Sequence, residues 1–218
     1  MAKKSTPVDA GKYTAVKRGK AEIIAHFPLS SNPGGSLEGI NGQTMHDLAK
    51  AGKPVSSEEW SSIIKAHEQF LASGGAGGHW ETLLLSDGLV IGVYVGAEGK
   101  QGKQADLSFL NLAKGLPFAG LKLLYANLAG IIAENIDFGG ANLTGCLVTD
   151  SLLSEASFKE SILRSADFSR SIMHSCNFRG ANLAGADFEH SDLAGSDFTN
   201  AILDNARFPG AILDDVKF

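Results

Sequence analysis

An apolar side chain returns every five positions from Phe118 to Phe218, and its type tends to return every twenty. Phe118, Phe138, Phe158, Phe178, Phe198 and Phe218 make one ladder, and Leu123, Leu143, Leu163, Leu183 and Leu203 make the next. Leu128, Val148, Phe168, Phe188 and Phe208 interleave with them, as do Ala133, Leu153, Met173, Leu193 and Leu213. A period of five fits neither a helix, at about 3.6, nor a strand, at about 2, so neither element keeps these residues on one face. A coiling backbone does. If four five-residue sides close one square turn, residues i and i+20 stack in adjacent coils about 4.8 Å apart.

A small residue sits two positions before most of these centres, as at Ala141, Ser161, Ala181 and Ser191, and shares the interior with them. The position between the two points outward and is often Asn or Asp. Runs such as Ala181-Asn182-Leu183 and Ala186-Asp187-Phe188 resemble the pentapeptide-repeat family, over about half of the chain. The resemblance implies an all-β solenoid, a right-handed quadrilateral β-helix, and a protein without enzymatic activity or cofactors. It also implies two uses: a surface for a protein partner or, in a subset, an acidic duplex-like rod that protects DNA gyrase from quinolones.

The repeats begin at Ala105-Asp106-Leu107, which divides the chain into a mixed α/β segment, 1–104, and a solenoid, 105–218. Of the net charge of −5, the solenoid carries 8 basic and 14 acidic residues, so the acidity is its own. No apolar run approaches the ~18 residues of a membrane span, and no secretory leader is evident. A cytoplasmic bacterial protein is the expectation, with no membrane contact and no direct contact with nucleic acid. Cys146 and Cys176 occupy inward small-residue positions and read as buried thiols rather than a disulfide or metal pair.

Upstream, residues 1 to about 20 are Lys-rich and read as a tail. Ala21 to Phe27 reads as a strand, Pro28 to Gly42 as turns, and Thr44 to Lys50 as a short helical stretch. Ser56/Ser57 followed by Glu58-Glu59 predicts a helix start. Trp60, Ile63, Ile64, His67 and Leu71 share one stripe, and Gly74-Gly75 ends it. The Ala66–Gly75 stretch also looks like the helical lead-in to many bacterial pentapeptide solenoids, although here Ala76 to Gln104 intervenes. Trp80 to Val95 reads as a hairpin turning at Asp87-Gly88. The segment's expected role is a small α/β cap over the first coil's open edge. Six residues separate Leu112 from Phe118, which predicts a one-residue bulge near Gly115-Leu116-Pro117. The 21 centres from Phe118 to Phe218 make slightly over five coils.

Three surfaces suggest partners. The chain's last residue is a core-register Phe, and Leu213 with Phe218 could form the end of a homodimer. Among outward residues, Ile132, Leu152, Ile172 and Ile212 form one column, with Ile162 and Ile202 in what reads as the neighbouring one. These are a candidate interaction surface, although stacked β-branched residues also stabilise an extended backbone. Asp137 and Asp197, Asp167 and Asp187, and Asp204, Asp214 and Asp215 are the candidate acidic surface for gyrase mimicry, interrupted by Ser157, Asn177, Arg207 and Lys217. A secreted effector, with the N-terminal segment as its signal, is a third reading. No catalytic constellation or phosphate-binding loop is evident.

Overall fold

The computed structural model describes residues 17–18, 21–27, 55–84, 90–95, 102–112 and 115–218. From Ala105 onward the backbone climbs in coils of twenty residues, and each side of a coil contributes a single parallel bridge at its outward residue. One side runs Asn142, Ile162, Asn182, Ile202, and another Ile132, Leu152, Ile172, Asp192, Ile212. Amides alternate in direction between coils: Phe158 N donates to Asn177 O at 2.7 Å, and Asn177 N to Ala156 O at 3.0 Å.

Each side ends in a tight turn, closed in the case of Phe178 by Ala181 N donating to Phe178 O at 3.0 Å. The third residue of the turn has positive φ, as a type II turn demands. Glycine fills it at some corners, but Glu155 (φ 62°), Glu160 (φ 57°) and Arg170 (φ 59°) adopt it too. The left-handed conformation costs an L-residue about 1–2 kcal/mol. The backbone ladders on both sides of each corner fix it in place.

Inside, rings stack coil on coil. Phe138 and Phe158 lie 4.9 Å apart, Phe158 and Phe178 5.0 Å, and Phe178 and Phe198 4.6 Å, which matches the expected inter-coil rise of about 4.8 Å. Phe118, Phe138, Phe158, Phe178 and Phe198 are buried, as are Leu123, Leu143, Leu163 and Leu183. Leu203 is only half-buried and Phe218 is 65% exposed. Full burial needs a coil on both sides, so the repeat register does not make every centre a core residue.

The predicted irregularity lies between the first two coils. Asp106 bridges Asn127 and Asn111 bridges Ile132, spacings of 21, and the spacing is twenty from Lys122↔Asn142 onward. Among the described residues no bridge joins Pro117 to Asp137, so the extra residue is absorbed on that side.

Upstream, β1 (Lys17–Arg18), β2 (Ala21–Phe27), β3 (His79–Leu84) and β4 (Val90–Val95) form an antiparallel sheet in the order β1-β2-β4-β3. Lys17 and Arg18, read from sequence as tail, pair with Glu22 and Ala21. The predicted hairpin is β3 with β4, from Leu84↔Val90 to His79↔Val95. Its Asp87-Gly88 turn, the basic tail before residue 17 and the Thr44–Lys50 stretch lie outside the described residues.

Helix α1 spans Ser57–Phe70 and starts with a capping box: Glu59 N donates to Ser56 Oγ and Ser56 N to Glu59 Oε2. This satisfies two amides that the first turn leaves without partners. Trp60, His67 and Phe70 are its buried face. A π turn, Leu71–Gly75, follows. Two glycines here are required by space: a Cβ at Gly75 would lie 2.4 Å from the Phe70 ring, and one at Gly78 2.4 Å from the Tyr94 ring. Tyr94 uses that closeness, donating its hydroxyl to Gly75 O and accepting from Gly78 N, both at 2.9 Å. No described helix is long and apolar enough to cross a membrane.

Candidate interaction surface

The N-terminal segment meets the solenoid in two places. Trp60 of α1 packs its ring 4.7 Å from Phe118, with Val55, Ile63 and Ile64 against the same core. The sheet reaches a flank instead. Trp80 of β3 packs on the outward residues Ala129 and Leu147, and Tyr94 of β4 lies 5.8 Å from Tyr125. Leu147 is therefore buried, and the outward Asn127 and Ile132 of the early coils are buried as well. Ile132 is withdrawn from the candidate surface.

The two apolar columns also part company. Their residues differ by ten, which is two sides of a square coil, so Ile162 and Ile202 lie on the side opposite Ile172 and Ile212 rather than on a neighbouring one. On the first of these sides Ile162 is 39% and Ile202 47% exposed, with half-buried Asn182 between them. On the other, Leu152 and Ile172 are half-buried and Ile212 is 41% exposed. Leu213, 38% exposed, and Phe218 line the outer face of the last coil.

The acidic residues have local work. Asp137, Asp167, Asp187 and Asp197 each accept, through Oδ1, the amide two residues on: Gly139, Ser169, Glu189 and Thr199 at 2.8–3.0 Å. Asn142, Asn177 and Asn182 do the same with Thr144, Arg179 and Ala184. Such Asx turns need a side-chain oxygen rather than a charge, which explains why Asn and Asp interchange in one column. That interchange was the signal in the sequence, and reading the column only for charge missed it. Arginines in neighbouring coils pair with some of these carboxylates and with Asp150. Arg179 meets Asp197 at 3.0 Å, Arg207 meets Asp187 at 3.1 Å, and Arg170 grips Asp150 through two bonds at 2.9 and 2.7 Å. Hydrogen bonds from the Thr199 hydroxyl and amide, with Arg179 alongside, hold the Asp197 carboxyl down to about 2. Burial pushes Asp167 up. Asp204, Asp214 and Asp215 are exposed at corners near the C-terminal end.

His174 Nε2 sits 2.7 Å from Asp192 on the surface, and among the described residues no three His, Cys, Asp or Glu converge as metal ligands. Cys146 and Cys176 are free and buried, donating to Leu123 O and Leu153 O. Burial raises both thiols well above the ordinary range, so neither is a ready nucleophile.

The model of the pentapeptide-repeat family matches residues 141–180, 151–189 and 181–218, with eight copies of the repeat. No curated protein matches the chain. Among solved structures, a pentapeptide repeat protein of the Arabidopsis thaliana thylakoid lumen is 24% identical over 46% of this chain and 70% of its own, with a TM-score of 0.46. HetL, a pentapeptide repeat protein involved in heterocyst differentiation regulation in the cyanobacterium Nostoc, is 21% identical over 52% of this chain and 63% of its own, with a TM-score of 0.36. Full-length QnrB1, a plasmid-mediated fluoroquinolone resistance protein, is 16% identical over 50% and 67%, with a TM-score of 0.32. Eight matched repeats over residues 141–218, with five-residue sides and twenty-residue coils, make that stretch a run of pentapeptide repeats, whose fold is a right-handed β-helix.

Proposed function

We propose that the protein is a non-enzymatic scaffold that offers one side of its β-helix to a protein partner, with α1 serving as the cap of the first coil. The carrying observation is the pair Ile162 and Ile202, exposed on one side and two coils apart with Asn182 between them. The backbone ladder fixes both side chains, so a partner meets them without ordering a loop, and association avoids that entropic cost. The acidic columns support gyrase mimicry less well. Asp187 and Asp197 are paired with arginines, and Arg207 and Lys217 stand in the columns themselves, whereas a phosphate-like flank requires free negative charge along its length.

The test is affinity capture with mass spectrometry on the wild type, on Ile162→Lys/Ile202→Lys, and on Ile172→Lys/Ile212→Lys as the opposite-side control. Circular dichroism verifies that all three are folded. Partners of the wild type are expected to be lost with the first pair and retained with the second. Equal capture by all three folded proteins overturns the assignment of this side.

A further inference from the structure

The side that carries Ile162 and Ile202 offers hydrogen-bond donors where it is not apolar. Its outward column runs Lys122, Asn142, Ile162, Asn182, Ile202. Asn142 and Asn182 give Oδ1 to the amides of Thr144 and Ala184, at 3.1 and 3.2 Å. The turn leaves the other end of each side chain unused, and among the described residues neither Nδ2 has a partner. Arg164 follows Ile162 by two residues on the same side, and both Arg164 and Lys122 are exposed and outside any ion pair among the described residues. On the preceding corner Lys159 and Glu160 pair at 3.5 Å and cancel, and Arg179 is held by Asp197 of the adjacent side. Asp204, two residues beyond Ile202, is the one carboxylate among the described residues of this side itself. The side is therefore positive around Ile162 within a solenoid of 8 basic and 14 acidic residues.

The distance between the isoleucines selects the element that fits them. Two coils rise about 9.6 Å, as the Phe158, Phe178 and Phe198 rings show. Seven residues of an α-helix rise about 10.5 Å and return to nearly the same face. Three residues of a strand cover about 10 Å, but they put the two side chains on opposite faces. We infer that this side takes an acidic amphipathic α-helix of a partner protein, lying along the solenoid axis. Apolar residues seven apart rest on Ile162 and Ile202, an acceptor side chain between them meets Asn182, and carboxylates beside and before the first apolar residue meet Arg164 and Lys122. Complementary charge fixes the register and speeds encounter. The inference rests on the assignment of this side to a partner.

The probes are three fluorescein-labelled, lactam-bridged peptides of about 16 residues, the bridge holding a helix that is marginal at this length. The first has leucines seven apart, a glutamine midway, and glutamates beside and before the first leucine. The second replaces each glutamate with lysine, and the third keeps the glutamates but moves the second leucine by two residues, off the face. Fluorescence anisotropy against the full chain is expected to show saturable binding of the first and at least about tenfold weaker binding of the others, a difference of about 1.4 kcal/mol. Lys122→Glu/Arg164→Glu is expected to reverse the preference between the first two peptides, and Ile162→Thr/Ile202→Thr, which keeps the β-branch without the apolar length, to weaken both. Circular dichroism verifies that each variant is folded. No saturable binding of the first peptide, equal affinity for the first and second or for the first and third, or a glutamate preference that survives Lys122→Glu/Arg164→Glu overturns the inference. If capture of wild-type partners is still lost with Ile162→Lys/Ile202→Lys, only the helix is wrong, whereas capture that persists there overturns the side as well.

Discussion

Replacing Phe178 with alanine is expected to destabilise the solenoid by about 3–5 kcal/mol, the range for truncating a buried aromatic. Phe178 is fully buried between Phe158, at 5.0 Å and nearly parallel, and Phe198, at 4.6 Å. It also meets Phe168 and Phe188 edge-on at 6.3 and 5.9 Å. Each such aromatic pair adds about 0.5–1.5 kcal/mol beyond burial, and backbone ladders above and below hold the coils apart, so the cavity cannot close. The upper part of the range is therefore expected. Phe218→Ala removes a ring of the same repeat register that is 65% exposed, and most of the loss should disappear. Urea unfolding of the two variants beside the wild type measures both. Equal losses would mean that position in the stack does not govern stability.

Acid is expected to loosen α1 from the solenoid before it unfolds the coils. His67 is completely buried, and its Nδ1 accepts the amide of Ala105, the first inward residue of the solenoid, at 3.0 Å. Its Nε2 is buried without a partner. A cation in the last turn of a helix is ordinarily favoured by about 0.3–1 kcal/mol. Burial outweighs that here and lowers the pKa from 6.5 to about 4. In the window between these values the unfolded state binds the proton and the folded state does not, so stability rises with pH. It is fully present above 6.5, falls as the pH drops toward 4, and the total loss is about 3 kcal/mol. A proton on Nδ1 would also turn the acceptor of Ala105 N–H into a second donor. Hydrogen exchange at Ala105 and along α1 is expected to accelerate across this window while exchange in the later coils does not. His67→Gln, which offers an oxygen acceptor and cannot take the proton, is expected to flatten the response. The same acid response in both proteins would contradict the role given to His67.

The solenoid was legible because its constraint is periodic. One large inward position per side, with a small one two residues before it, repeated along the ladder, determines the coil length, the sides and the stacking of Phe138, Phe158 and Phe178. α1 was equally readable from the Ser56/Glu59 capping box and its apolar stripe. The sheet's docking on a flank was not, because Trp80 and Tyr94 act through contacts with Leu147 and Tyr125 that no local pattern encodes. Ile132 follows the same rule, outward by register and buried. The relation of the two isoleucine columns was in the numbering all along, since a difference of ten means opposite sides of a four-sided coil. The acidic columns were misread for a chemical reason: Asp and Asn present the same oxygen to the amide two residues on, and charge is secondary to that bond.

The claim beneath all of this is that residues twenty apart are vertical neighbours in one stack. Methyl-selective NOE spectroscopy on a leucine-labelled sample measures it most directly. Strong contacts are expected from Leu143 to Leu163, from Leu163 to Leu183 and from Leu183 to Leu203, forming one continuous ladder. A spectrum in which Leu163 and Leu183 share no contact, while leucines at other spacings do, would contradict it.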